Sequence, residues 1–207
     1  MIRRTSRTVF CIACVCTFTA NAANYHADFS IKATLVPSAC KPTLSDAGVV
    51  DYGTIQASRL QRTTPTLLDA KSLQLTVECD APTYFALKLH DNRAGTGGAA
   101  TDSFGLGRSA GHDIGSYSVR VSHAFAGNAS LMLLRSDDDG IRWQSDAEPL
   151  VTDALYAFAA PESVVPHAYQ HLSADMWIQA KILPTQELSL SEVIMLDGSA
   201  TVEVTYL

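Results

Sequence analysis

Gly107-Arg108-Ser109-Ala110-Gly111 fits the G-x-S-x-G pattern that presents the nucleophile of many serine hydrolases. That pattern works when a strand-to-helix turn lifts the serine oxygen above a parallel sheet. Here it falls inside residues 92–115, a stretch with seven glycines, and His112-Asp113 and an alternating run follow it. No helical period and no α/β alternation surrounds it, so it reads as a chance match in a glycine-rich loop. His167 and His171 have the i, i+4 spacing that sets two metal ligands on one helix face. Pro166 precedes the pair, no glutamate sits beside His167, and the region reads as a loop, so the two are taken as solvated. Asp137, Asp138 and Asp139 supply half of a calcium loop but lack its alternate spacing and closing glutamate. With Gly140 they read as a hairpin turn instead. Asn128-Ala129-Ser130 is a glycosylation sequon. Trp143 and Trp177 lie on strand patterns and read as core or sheet packing. No catalytic constellation survives, so the expectation is a chain that is not an enzyme and carries no metal or cofactor.

The elements that would carry such residues belong to an exported protein. Residues 1–22 read as a secretory signal peptide. Arg3, Arg4 and Arg7 form its positive end, residues 9–19 its apolar stretch, and Ala20-Asn21-Ala22 its cleavage site. The apolar stretch is short of the roughly twenty residues a transmembrane helix needs. Cys11, Cys14 and Cys16 leave with the peptide, which keeps Cys40 and Cys79 in the mature chain. Two thiols in an exported chain are most simply one disulfide. The formal charge is −6 with the three leader arginines included, so the mature chain carries −9. An acidic balance of that size excludes nucleic acid and anionic membrane as expected partners.

The mature chain reads as all-β, in short alternating runs broken by turn residues. Leu73, Leu75, Val77 and Cys79 share one face of a strand over residues 72–80. Another strand covers 84–90 after an Ala81-Pro82 turn. Over 116–125, Tyr117, Val119, Val121, His123 and Phe125 alternate. Residues 131–135 and 141–144 flank the aspartate turn, and Met176, Ile178, Ala180 and Ile182 mark a strand over 176–183. The last run, 200–206, sets Val202, Val204 and Tyr206 on one face. Two packed antiparallel sheets are the economical architecture. The glycine-rich stretch 92–115 shows no strand pattern and is expected to be functional or mobile rather than core.

One further run precedes all of these. Over residues 25–35 the apolar side chains Tyr25, Ala27, Phe29, Ile31, Ala33 and Leu35 occupy every second position, with polar residues between them. Such a run has one apolar face in extended conformation and must be covered by something. It leads into Val36-Pro37-Ser38-Ala39-Cys40. The second cysteine closes Leu75-Thr76-Val77-Glu78-Cys79, and Val50-Asp51-Tyr52-Gly53-Thr54-Ile55, which reads as an apolar-x-apolar-Gly strand, lies between the two. The chain closes on Ala200-Thr201-Val202-Glu203-Val204-Thr205-Tyr206-Leu207. In order and spacing these segments resemble the subunits of chaperone–usher fimbriae (pili), of a less characterised, fimbria-associated branch.

The resemblance implies an incomplete immunoglobulin-like β-sandwich, the pilin fold, completed by donor-strand complementation. Residues 1–22 would be signal peptide, 23–35 the donor-strand extension and 36–207 the sandwich. Tyr25, Ala27, Phe29, Ile31 and Ala33 would enter a neighbouring subunit's groove, with Ala27 where many donors place glycine. Val202, Val204 and Tyr206 would line the acceptor groove and meet a periplasmic pilus chaperone. An outer-membrane usher and neighbouring pilin subunits complete the implied partners, on a path from the periplasm to a cell-surface fimbrium. The implied function is a structural subunit contributing to adhesion, through a host or surface receptor the residues do not name. The other reading is a secreted monomeric sandwich that binds carbohydrate or protein.

Overall fold

The alternation at Leu73, Leu75, Val77 and Cys79 is realised in full: all four side chains are buried, and the residues between them are not. In the computed structural model, residues 30–33, 39–145 and 149–207 are described. The chain divides into two units, Met1–Val36 and Pro37–Leu207, and the second is an all-β, immunoglobulin-like sandwich. Residues 1–22, expected to be a signal peptide, and most of the N-terminal run, including Tyr25, Ala27, Phe29 and Leu35, lie outside the described residues.

Thirteen strands are described in the second unit. In chain order they are β1 (Cys40–Leu44), β2 (Thr66–Leu67), β3 (Lys71–Thr83), β4 (Phe85–Asp91), β5 (Phe104–Gly105), β6 (Arg108–Ser109) and β7 (His112–Asp113). There follow β8 (Gly115–Ala126), β9 (Ala129–Ser136), β10 (Gln144–Ser145), β11 (Leu155–Ala159), β12 (Tyr169–Ile182) and β13 (Ala200–Tyr206). The first sheet runs β1-β3-β12-β8 and the second β9-β11-β4-β13, every pairing antiparallel. The β8–β9 hairpin carries the ladder from one layer to the other, pairing Ala124 with Leu131. Between the layers Leu75, Val77, Leu89, Tyr156, Phe158 and Leu172 form one apolar core. Burial of this kind stabilises by roughly 1.5–3 kcal/mol for each large side chain.

Five sequence expectations change in the structure. The Ala81-Pro82 pair lies within β3, which continues to Thr83, and Tyr84 alone separates it from β4. In β8 a bulge interrupts the alternation: His123 takes φ +46° and the register against β12 shifts between Ser173 and Asp175. Beyond that bulge Ala124 is buried while His123 and Phe125 face out. A bulge inserts one residue into a strand, and one residue is enough to reverse faces. Residues 141–143 belong to the turn, and β10 starts only at Gln144. The segment 50–55 forms no strand and joins no sheet ladder, with Gly53 at φ +64°.

The fifth change is the glycine-rich stretch, which contributes to the core. Phe104, Leu106 and Ile114 are buried there, and the Phe104 ring stacks 5.3 Å from Tyr117. Its compactness demands glycine: a Cβ at Gly105 would collide with the Arg93 carbonyl and the Thr96 hydroxyl. The central strand β11 has no counterpart among the expected strands, because all five of its residues are buried. Tyr156 and Phe158 face the main core, while Leu155 and Ala157 sit with Ala86 beneath Trp143 on the outer face. A strand covered on both sides loses its alternation.

Candidate functional site

The hydrogen-bonded path starts at β1 and ends at β13, and these two strands come back beside one another. Among the described residues β1 pairs only with β3, and β13 only with β4. The circuit is therefore open at one seam. Among the described residues one hydrogen bond joins the two strands across it, at one end, where the Cys40 amide donates to the Tyr206 hydroxyl at 2.9 Å. Seven antiparallel steps separate the two strands, so they run in opposite senses. A strand laid into the seam would be parallel to one neighbour and antiparallel to the other.

The seam gives access to the core through two adjoining cavities. The first, of about 250 Å³, is walled by Leu44, Leu73, Val119 and Met176 from the first sheet and by Leu89 and Val202 from the second. Burial, with the Asp91 charge behind it, pushes the Tyr117 phenol up, so this wall stays neutral. The second, of about 510 Å³, lies between Tyr52, Ile55 and Leu60 on one bank and Leu190, Ile194 and Leu196 on the other. Val50, Tyr52 and Leu196 line both, which makes one continuous apolar groove. Residues 192–196 join no strand, with Ile194 and Leu196 turned inward while Val193 and Met195 are exposed.

Tyr52 shows how segment 50–55 is held without a ladder. Where β12 changes partner from β3 to β2, its Ile178 carbonyl and Ala180 amide face a gap. The Tyr52 hydroxyl fills it, donating to Ile178 O at 3.1 Å and accepting from Ala180 N at 3.2 Å. Burial pushes this phenol up, against the opposing pull of the Ala180 amide.

The structure places the cysteines as a disulfide, Cys40 directly opposite Cys79 in the β1–β3 ladder. Val202 lines the first cavity, Val204 packs half-buried on the core, and Tyr206 stands at the end of β13, half-exposed. Of the donor-strand residues, Ile31 and Ala33 are described; both are exposed and carry no secondary structure, Ile31 at 86%.

The chemistry-bearing motifs are not assembled. Arg108–Ser109 and His112–Asp113 form a tight hairpin whose turn residues Ala110 and Gly111 both have positive φ. That is the geometry of a two-residue hairpin turn, and no helix follows it. His167 lies in a loop with Nδ1 2.9 Å from Val165 O, while His171 stands on β12 opposite Glu78. Asp138 organises its turn, accepting from Ser136 Oγ, Arg142 N and Arg142 Nε. Those bonds, the Arg142 side chain's first, bring its carboxyl down to about 2.

Sequence reading missed one cluster, Ser122, His123 and Asp175 on the outer face of the first sheet. Ser122 Oγ and Asp175 Oδ2 both approach His123 Nδ1, at 3.4 and 3.1 Å. A hydrolase triad needs the serine and the carboxylate on different ring nitrogens, so this is not one. Only the β8–β12 pairing brings Asp175 to its neighbours, and nothing in the spacing announces that pairing.

Residues 29–104 match the sequence profile of a family described as "Protein of unknown function (DUF1120)", a span that includes both cysteines and β1 to β4. Over 213 residues the chain is 28% identical to "Uncharacterized protein YhcF" of Escherichia coli (strain K12), covering 86% of this chain and 89% of that protein. Over 223 residues it is 26% identical to "Protein GltF" of the same organism, covering 87% and 88%.

Proposed function

We propose that this chain is an exported structural subunit of a chaperone–usher surface fimbria, polymerising by donor-strand exchange and contributing to adhesion without catalysis. The observation that carries this reading is the open seam between β1 and β13, which leaves core side chains of both sheets reachable from outside. An apolar groove flanked by unpaired edges is an association hazard unless something fills it. The alternating run 25–35 has the period to fill such a groove, and pilin donor-strand complementation is a known form of strand addition. In this reading a periplasmic chaperone occupies the groove first, and the usher hands it to the run of the next subunit. Phe29 and Ile31 are the main anchors, and Asp28 and Lys32 face solvent.

Deleting residues 23–32 tests it. The expected outcome is a domain that still folds and co-purifies with its chaperone but forms no polymer. A truncated chain that fails to fold even beside its chaperone would place the run in its own core and overturn the fimbrial reading.

The Cys40–Tyr206 contact supports a second reading, because it already closes one end of the seam. A secreted monomer that binds carbohydrate or protein needs no chaperone. Export of folded, monodisperse protein from cells lacking any usher system would favour it.

A further inference from the structure

Trp143 and Trp177 both sit on outer sheet faces, yet they meet different surroundings. Trp143 covers Leu155, Ala86 and Ala157 on the second sheet, where it acts as packing. Trp177, on β12, is 37% exposed at the middle of the first sheet's outer face. Its cross-strand neighbours are Ser72 on β3 and Arg120 on β8. The next pairs on either side are Asp175 with Gln74 and Ser122, and Gln179 with Ser118. The indole's strand neighbours on this face, Ser72, Gln74, Ser118, Arg120 and Ser122, are all polar. Its Nε1–H donates to Ser122 Oγ at 3.0 Å, which fixes the ring's orientation. Asp175 is likewise held, by His123 Nδ1 at 3.1 Å.

We infer that Trp177 is the stacking platform of a carbohydrate site, taking the apolar C–H face of one pyranose ring, with Ser72, Gln74, Arg120 and Asp175 bonding its hydroxyls. An oriented indole with one apolar face and a wet polar rim suits a ligand that is itself apolar on one face and hydroxylated at its edge. A protein partner fits poorly. Stable interfaces bury about 800 Å² per partner around an apolar centre, whereas the indole is ringed by polar side chains and the other exposed aromatic on this face, Phe125, stands four β12 positions away opposite Ser173. The site lies on the opposite side of the first sheet from the groove, so it serves a fimbrial subunit or a monomer equally.

The test is isothermal titration calorimetry of the full chain, in its chaperone complex if it is isolated that way. The probes are methyl α-mannoside, methyl β-glucoside, methyl β-galactoside, N-acetylglucosamine, cellotetraose and chitotetraose. At least one should give a saturable heat change, retained in Trp143→Phe and weakened at least about tenfold in Trp177→Ala. If Trp177→Ala does not fold, Ser72→Arg, at an exposed position beside the indole, replaces it and should weaken binding likewise. No saturable response to any of the six sugars, or a response that survives both Trp177→Ala and Ser72→Arg, overturns the proposal. Either failure leaves the groove and its proposed role untouched.

Discussion

The two strands that border the open seam are held in place by different means. β1 is five residues long, buries none of its side chains fully, and is locked to β3 by the Cys40–Cys79 disulfide. β13 has seven residues in continuous register with β4, from Ala200 opposite Asp91 to Tyr206 opposite Phe85. No covalent bond ties it down. At its start Arg93 grips Asp197 through Nε and Nη2, both at 2.9 Å, and Asn92 Nδ2 donates to the hydroxyls of Ser199 and Thr201. At its end the Leu207 amide donates to Tyr84 O. One bank is set when the disulfide forms, and the other rests on reversible polar ties. The contrast predicts that motion at the seam falls on the β13 side.

Removing the covalent tie should erase the contrast. A Cys40→Ala, Cys79→Ala chain is expected to lose roughly 3–4 kcal/mol in the chain-entropy model for a loop of about forty residues. Denaturant unfolding beside the oxidised protein measures it, and equal midpoints would mean that the ladder alone holds β1. On the other bank, Val204→Asp places an uncompensated charge at a half-buried position, at a cost of roughly 2–3 kcal/mol. Chaperone co-purification should be lost, and an unchanged complex would move the groove away from β13.

Tyr206→Phe deletes the one bond across the seam while keeping the ring. About 0.5–1.5 kcal/mol should be lost, read as faster hydrogen exchange at the Cys40 amide. Acid probes the weakest tie. The Arg93 hydrogen bond holds the Asp197 carboxyl below the ordinary aspartate range. A depressed carboxylate contributes its stability above the unfolded value and loses it as pH falls through the folded one. Below about pH 4 exchange should therefore quicken at the Asn92 amide, which donates to Ser199 O, while β1 keeps its protection. Equal loosening on both banks would contradict the division.

The difference between the banks was half legible beforehand. The disulfide followed from the two cysteines that remain once residues 1–22 are read as a leader, and β13 from the alternation of Val202, Val204 and Tyr206. What anchors β13 was not legible, because Arg93 and Asn92 lie in a stretch whose glycines suggested mobility. Those glycines instead let Phe104, Leu106 and Ile114 reach the core by backbone paths closed to other residues. β11 escaped notice because burial on both faces removes the period that marks a strand. The bulge at His123 was equally silent, since Tyr117 to Phe125 alternates without a break. Trp143 packs as expected and Trp177 lies on a sheet as expected, but at 37% exposure, and only the pairing of β12 with β3 and β8 shows its polar surroundings.

The opposite senses of β1 and β13 give the seam a direction. Reversing an inserted strand exchanges its parallel neighbour for its antiparallel one, so the two insertions are chemically different objects. An assembly built by filling one seam after another is heterologous: it contains no two-fold axis, does not close on itself by pairing like with like, and extends as an open filament unless its rotation closes a ring. Such a filament has unlike ends. One presents an unfilled groove and the other an unplaced strand, so growth and capping there need different molecules.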